Sequence, residues 1–207
     1  MITKHNILIV DDNTKNIQLA ANVLKSTQLY NIFFSTSGEQ AIEQLQLRKY
    51  SLILLDINMP GLSGYETASI IKKDTTFKNI PIIFLSANAN QENIRKGFEH
   101  GGEDYITKPF DELELLHRVK THVDLHEAKE KLREEVNETK TLLEQYKLAV
   151  DASASVSKAD LDGNITYVNQ KFCELSKYSK EELIGENHRM FRSPDKVMKF
   201  IKICGRQ

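Results

Sequence analysis

Short apolar runs rich in branched residues recur along the first half of the chain, and four of them end in side chains that belong together chemically. Ile7–Val10 leads into Asp11 and Asp12, Leu52–Leu55 into Asp56, Ile82–Leu85 into Ser86, and Tyr105–Thr107 into Lys108 and Pro109. A further run, Ile32–Ser35, ends in a serine. Helical stretches separate the runs, which is the pattern of parallel strands buried on both faces. The carboxyl ends of such strands open on one crevice, where ligands bind. Three carboxylates, a hydroxyl and an ammonium are therefore expected in one place. That combination suits a divalent cation and a phosphoryl group.

The alternation predicts a doubly wound α/β fold with a five-stranded parallel sheet. Helices are expected at Asn13–Lys25, Gly38–Leu47, Gly64–Lys73 and Gln91–Glu99, the last closed by Gly101-Gly102. Asn58-Met59-Pro60-Gly61 reads as a loop, and Pro81 stands at a strand entrance, where a missing N–H is tolerated. A fifth helix should start near Phe110. From Asp111 to about Ala152 there is no Gly or Pro. Within that stretch Leu125, Leu132, Val136, Leu143, Tyr146 and Val150 fall at alternating a and d heptad positions, with Lys129 at a polar a and Thr139 at a polar d. Sustained heptads predict a parallel dimeric coiled coil over 125–150, and about 40 helical residues would span roughly 60 Å.

Beyond Asp151 the pattern changes. Val156–Asp160 and Ile165–Asn169 read as a β-hairpin with a tight turn at Asp162-Gly163. Helical pieces are expected at Lys171–Ser176, Glu181–Leu183 and Asp195–Ile203, with Gly185 as an interruption. Two strands make an incomplete sheet. Apolar residues such as Ile165, Phe172 and Leu175 are therefore expected to stay exposed unless a partner covers them. The organisation is residues 1–124, a helical linker at 125–150, and a partial α+β segment at 151–207.

Composition narrows the class. The net charge of −1 argues against a bulk nucleic-acid binder, and the 40% hydrophobic share supports a real core. Cys173 and Cys204 have no paired spacing and read as reduced thiols. No apolar run approaches membrane-helix length, and no signal-peptide pattern precedes the first strand. A cytoplasmic protein with no membrane partner is the expectation.

The crevice chemistry can be taken further. Mg²⁺ prefers oxygen ligands, and Asp11 and Asp12 could reach it directly or through water. Asp56, alone at the end of the middle strand, is the carboxylate best placed to attack a phosphoryl donor. Lys108 would hold one phosphoryl oxygen as a point charge, and Ser86 would donate to another. The product would be an aspartyl-phosphate.

Taken together, Asp11-Asp12, Asp56, the Asn58-Met59-Pro60-Gly61 loop, Ser86, Tyr105 and Lys108-Pro109 closely resemble the receiver domain of bacterial two-component response regulators, a CheY-like, flavodoxin-like fold. The resemblance covers about residues 4–124. It implies that Asp56 accepts phosphate from a sensor histidine kinase or phosphotransfer protein. It implies that Asp11, Asp12, Asp56 and the backbone carbonyl of Asn58 bind Mg²⁺, and that Ser86 and Tyr105 form a switch pair. It also implies a cis Lys108–Pro109 bond. The domain would phosphorylate and dephosphorylate itself only, with output carried by another module. Residues 152–194 resemble the first half of a PAS sensor domain. The run Gly185–Phe191 resembles a flavin-binding loop, but His188 stands where a reactive cysteine is required, so no covalent flavin chemistry is expected.

Two other readings compete with this one. A Mg²⁺-dependent aspartyl-phosphate phosphatase needs a general acid two residues beyond its nucleophile, and Asn58 cannot serve. A dimerisation scaffold with an inactive site sits poorly with the intact acid set. His117, His122 and His126 lie on the long helix and are expected on a solvated or dimer-facing surface, and His188 in a loop.

Overall fold

The structure, a computed structural model, describes residues 4–87 and 91–192; the expected helix Asp195–Ile203 and Cys204 lie outside the described residues. Five parallel strands, β1 (His5–Val10), β2 (Tyr30–Ser35), β3 (Leu52–Asp56), β4 (Ile82–Ser86) and β5 (Asp104–Thr107), form one sheet in the order β2-β1-β3-β4-β5. Helices α1 (Thr14–Lys25), α2 (Gly38–Leu47), α3 (Gly64–Lys73), α4 (Gln91–Glu99) and α5 (Glu112–Ser153) alternate with them. The doubly wound α/β fold is the one expected from the sequence.

Side chains alternate across each strand. One set, including Ile7, Ile9, Leu54 and Leu85, packs under α1 and α5; the other, including Leu8, Val10, Leu55 and Phe84, packs under α2 and α3. β1, β3 and β4 are central, and Ile7–Val10, Leu52–Leu55 and Ile82–Leu85 are all fully or almost fully buried. Near-continuous branched runs were legible for that reason. β2 starts two residues before its expected boundary, at Tyr30, which is itself buried. Caps set the helix starts. The Asn13 side chain accepts from the Lys15 N–H ahead of α1, and Ser63 with Glu66 closes a capping box on α3.

α5 has two regimes. Leu115, Val119 and Val123 are buried on the sheet, whereas every residue from Lys131 to Val150 is exposed. Its histidines differ from expectation. His117 is exposed, but His122 packs against the start of β5, with Nε2 3.1 Å from Asp104 Oδ2. His126 is half-buried, and burial holds its imidazole below the usual range. His122 and His126 lie on the helix face shared by Val119 and Val123, so the surface reading holds for His117 alone. No described helix is long and apolar enough to cross a membrane.

The boundary between two compact units falls at Arg133/Glu134, inside α5. In the second unit β6 (Ser157–Ala159) and β7 (Ile165–Val168) pair antiparallel, followed by α6 (Gln170–Ser176), α7 (Lys180–Leu183) and a 3-10 turn at His188–Arg192. The hairpin connection is wider than a two-residue turn. It spans residues 160–164, with Asp160 Oδ1 accepting the N–H groups of Asp162 and Asn164 at 3.0 and 2.8 Å, and Gly163 at φ +87°. His188 belongs to the 3-10 turn, not a loop, and its Nε2 lies 2.9 Å from Ser157 Oγ.

The expected exposure of Ile165 and Phe172 is also corrected. Both are buried with Val168 and Leu183, and Leu175 is partly covered. Met190 and Phe191 fold back over them, with the Phe172 and Phe191 rings 5.6 Å apart and edge to face. That aromatic cover substitutes for sheet that the two strands lack.

Candidate functional site

The strand ends deliver their side chains to one edge. β1 extends one residue through the Asp11 N–H, which donates to the Ser35 carbonyl at 3.2 Å, and then turns into α1. Asp11 is fully buried. Its carboxylate accepts from the Asn13 N–H at 2.9 Å and from Asn16 Nδ2 at 3.0 and 3.2 Å. Asp12, the next residue, is exposed. β3 ends in Asp56, which is 6% exposed.

Lys108 joins the two buried acids. Its Nζ lies 2.5 Å from Asp11 Oδ2 and 2.8 Å from Asp56 Oδ1. Its backbone is fixed as well: the Lys108 N–H donates to the Ser86 carbonyl at 2.6 Å, and the bond to Pro109 is cis. Ser86, at the end of β4, is buried. Burial is the largest influence on the Asp56 carboxyl and pushes it up. The Asp11 charge adds to this, and Lys108 together with the Asn58 N–H offsets only part, so the group sits above the usual carboxylate range.

Oxygens of Asp11, Asp12 and Asp56 lie within 4.8 Å of one another. Three carboxylates against one ammonium leave an excess of negative charge, carried on hard oxygen donors only. This donor set fits Mg²⁺ or a similar divalent cation. Asn58 is exposed in the loop two residues past Asp56, at the rim of the same cluster.

The sequence-predicted residues are thus distributed in two tiers. Asp11, Asp12, Asp56 and Lys108 converge. Ser86 sits at the adjoining strand end, in register with Thr107, and Tyr105 lies two residues back on β5 and is buried. Tyr105 belongs to an aromatic tier that includes Phe84 and Tyr65. The Tyr65 ring stands edge-on to Phe84 at 5.3 Å and stacks on His100 at 5.3 Å. Burial first, and then the nearby Tyr105 phenol, hold the Tyr65 hydroxyl above its usual range.

Two residues escaped the sequence reading. Asn16, in the first turn of α1, clamps both Asp11 oxygens; its place five residues after Asp11 was the available signal. Gly64 is the other. A Cβ there would lie 2.1 Å from the Asp56 carbonyl oxygen, so only glycine lets α3 begin against the end of β3. Nothing in its local sequence announces that close approach.

Comparison with known proteins agrees with this geometry. The family described as "Response regulator receiver domain" matches residues 7–120, and the PAS fold matches residues 137–204, beginning inside α5. "Transcriptional regulatory protein YvrH" of Bacillus subtilis is 38% identical over 118 residues, 57% of this chain and 48% of that protein. A "Probable cyclic di-GMP phosphodiesterase" of Vibrio cholerae is 40% identical over 129 residues, 62% of this chain and 29% of that protein. Among solved structures, a putative response regulator from Chloroflexus aurantiacus superposes with a TM-score of 0.57 at 31% identity, covering 59% of this chain and 99% of its own. The chemotaxis response regulator CheY4 of Vibrio cholerae gives 0.55 at 25% identity, covering 58% and 99%. The chain spans half or less of the length of the curated relatives named here.

Proposed function

The chain belongs to the response-regulator receiver family, and from that premise we propose that Asp56 is the phosphoacceptor of a two-component phosphorelay, fed by a sensor histidine kinase or a phosphotransfer protein in the cytoplasm. One observation carries the reading: a single ammonium, Lys108, reaches both buried carboxylates at the carboxyl edge of the sheet. A structural ion pair needs one acid. The second acid, half-compensated and buried, has a use only if its charge is to be met by something else.

Asp11, Asp12, Asp56 and the backbone carbonyl of Asn58 would hold Mg²⁺, which when bound supplies neutralisation of phosphoryl charge. An Asp56 carboxylate oxygen attacks the phosphorus of a phosphohistidine. The P–N bond breaks, and its electron pair stays on the imidazole. Lys108 keeps Asp11 and passes its second contact from Asp56 to a phosphoryl oxygen. The Ser86 hydroxyl turns toward the phosphoryl group, and Tyr105 follows into the space this opens. β5 and α5 then carry the change away from the site. On this reading residues 1–124 are the receiver, 125–150 a helical linker that pairs two chains, and 151–207 the start of a PAS domain. The domain performs self-phosphorylation and self-dephosphorylation only, and output belongs to another module. No observation favours the phosphatase or inactive-scaffold readings.

The test is phosphoryl incorporation from acetyl phosphate. Hydroxylamine-sensitive, Mg²⁺-dependent label is expected on the wild-type chain and none on Asp56→Asn. Stoichiometric label on Asp56→Asn would overturn the assignment.

A further inference from the structure

The heptads predict a parallel pairing of two chains but do not say which side chains fix its direction and register. The exposed half of α5 answers both. Every residue from Glu134 to Val150 is exposed, while Arg133, just before them, pairs with Glu130 and donates to Asn79 Oδ1 at 3.2 Å. Most helical stability in proteins comes from packing an amphipathic face rather than from propensity. An apolar stripe runs along this half of α5, with Val136, Leu143 and Val150 at a and Leu132 and Tyr146 at d, each at least 45% exposed. Branched residues at two of three a positions favour two strands over three.

The flanks of the stripe carry the direction. With Val136 at a, the e positions are Arg133, Lys140 and Lys147, all cationic. The g positions are Glu135, Leu142 and Ala149. In an antiparallel pair e faces e, so lysine and arginine columns would confront each other along the seam. In a parallel pair g faces the e position five residues on in the other helix. That places Glu135 against Lys140 of the partner subunit, twice by symmetry. Leu142 meets the stem of the partner's Lys147, which can lie along it. Lys129, at the a position one heptad nearer the receiver, faces its own copy only in the parallel register. A single polar a residue is a device that fixes register at some cost in stability.

We infer that α5 docks a second copy of this chain in parallel and in register, fastened by reciprocal Glu135–Lys140 pairs. This rests on the two-chain reading above and deepens it. Parallel pairing would bring the two receivers to one end of the seam, so a change at the base of α5 would be felt by both helices together.

Charge swapping tests it on the full chain. Glu135→Lys and Lys140→Glu should each weaken dimerisation by about tenfold in sedimentation equilibrium at low salt, because two symmetry-related pairs turn from attraction to repulsion. The double swap Glu135→Lys/Lys140→Glu should restore wild-type affinity. Circular dichroism checks that the helix persists in each. Val136→Cys, with Cys173 and Cys204 replaced by serine, should oxidise to a cross-linked dimer. A dimer that shows neither rescue nor cross-link overturns the parallel pairing and leaves the two-chain reading standing. A monomer in every variant and in wild type overturns both. Phosphoryl labelling of Asp56 is scored separately, since it depends on neither.

Discussion

Replacing the candidate phosphoacceptor should make the metal-free receiver more stable. Asp56 shares one ammonium with Asp11 and sits above the usual carboxylate range, chiefly through burial and then through Asp11. An acid raised in the folded state binds more protons there than in the unfolded chain. Its charged form therefore subtracts stability at pH values above the folded pKa, and the penalty fades as pH falls toward the unfolded value. Asp56→Asn removes that penalty and keeps an oxygen for Lys108 and for the Asn58 N–H. Relief of a strained functional group typically returns about 1 kcal/mol. For the receiver unit this is about 3–5 °C in melting temperature. Divalent cation reverses the order. At ten times its dissociation constant a ligand adds about 1.4 kcal/mol to the protein that binds it, and the variant has lost one of three carboxylates. Differential scanning calorimetry at pH 8, in EDTA and then in Mg²⁺, reads both. A variant that melts below wild type in EDTA would mean that the Lys108–Asp56 pair is a net structural asset, and the argument from charge competition would fail.

Four other substitutions probe separate links. Asp12→Ala should lower Mg²⁺ affinity and phosphoryl incorporation together; unchanged Mg²⁺ titration would give the exposed acid another role. Lys108→Ala should leave some phosphorylation while abolishing the phosphorylation-dependent change in amide exchange on β5 and α5, and persistence of that change would remove Lys108 from the switch. Asp104 tests a different pair. Burial pushes its carboxyl up, but hydrogen bonds from Arg118, the Tyr105 N–H and His122 outweigh burial and hold it below the usual range. Its contribution should be present above about pH 4, the ordinary carboxylate value, and fade as pH falls through the lower folded pKa. Asp104→Asn should cost about 1 kcal/mol in urea titrations at pH 7, since Arg118 is partly exposed and screened, with the gap closing in acid. Gly64→Ala should cost about 3 kcal/mol, because the new Cβ meets backbone that cannot yield; a silent substitution would show that the start of α3 is loose.

Legibility followed burial. β1, β3 and β4 are covered on both faces, so their runs are unbroken and their final residues unmistakable, and Asp11, Asp56 and Ser86 came with them; Lys108 follows β5, at the sheet's edge. β2 is an edge strand with Phe34 exposed, and its first residues carried no such signal. His122 was misplaced because a helix wheel does not say how far a helix overlaps its domain. Gly64 was invisible because its role is set by the Asp56 backbone beyond a loop, whereas Asn16 carried only its spacing from Asp11 as a signal. The tail was misjudged for a related reason. Counting strands foretold an unfinished sheet, but not that Met190 and Phe191 would return to cover Ile165 and Phe172.

α5 reconciles two demands that a single stripe could not. Its sheet-facing residues are Leu115, Val119 and Val123, with the half-buried His122 and His126 on the same side. The heptad stripe begins at Leu125, already 45% exposed. At about 100° per residue the two stripes lie roughly a third of a turn apart. One continuous helix can therefore stay docked on its receiver through Arg118, held by Asp104 at 2.7 and 2.8 Å, while it offers a second face to another helix. Asp104 opens β5, four residues before Lys108, which the strand delivers to the acidic edge at its other end. A displacement of Lys108 on phosphorylation would pull on the strand whose first residue grips α5. The coupling requires no new contact between site and helix, only a strand short enough, four residues, to move as one piece. Arg118→Ala should then leave Asp56 phosphorylation intact and erase its effect on amide exchange beyond Leu125. Transmission that survives the loss of Arg118 would mean that the signal leaves the receiver by another route.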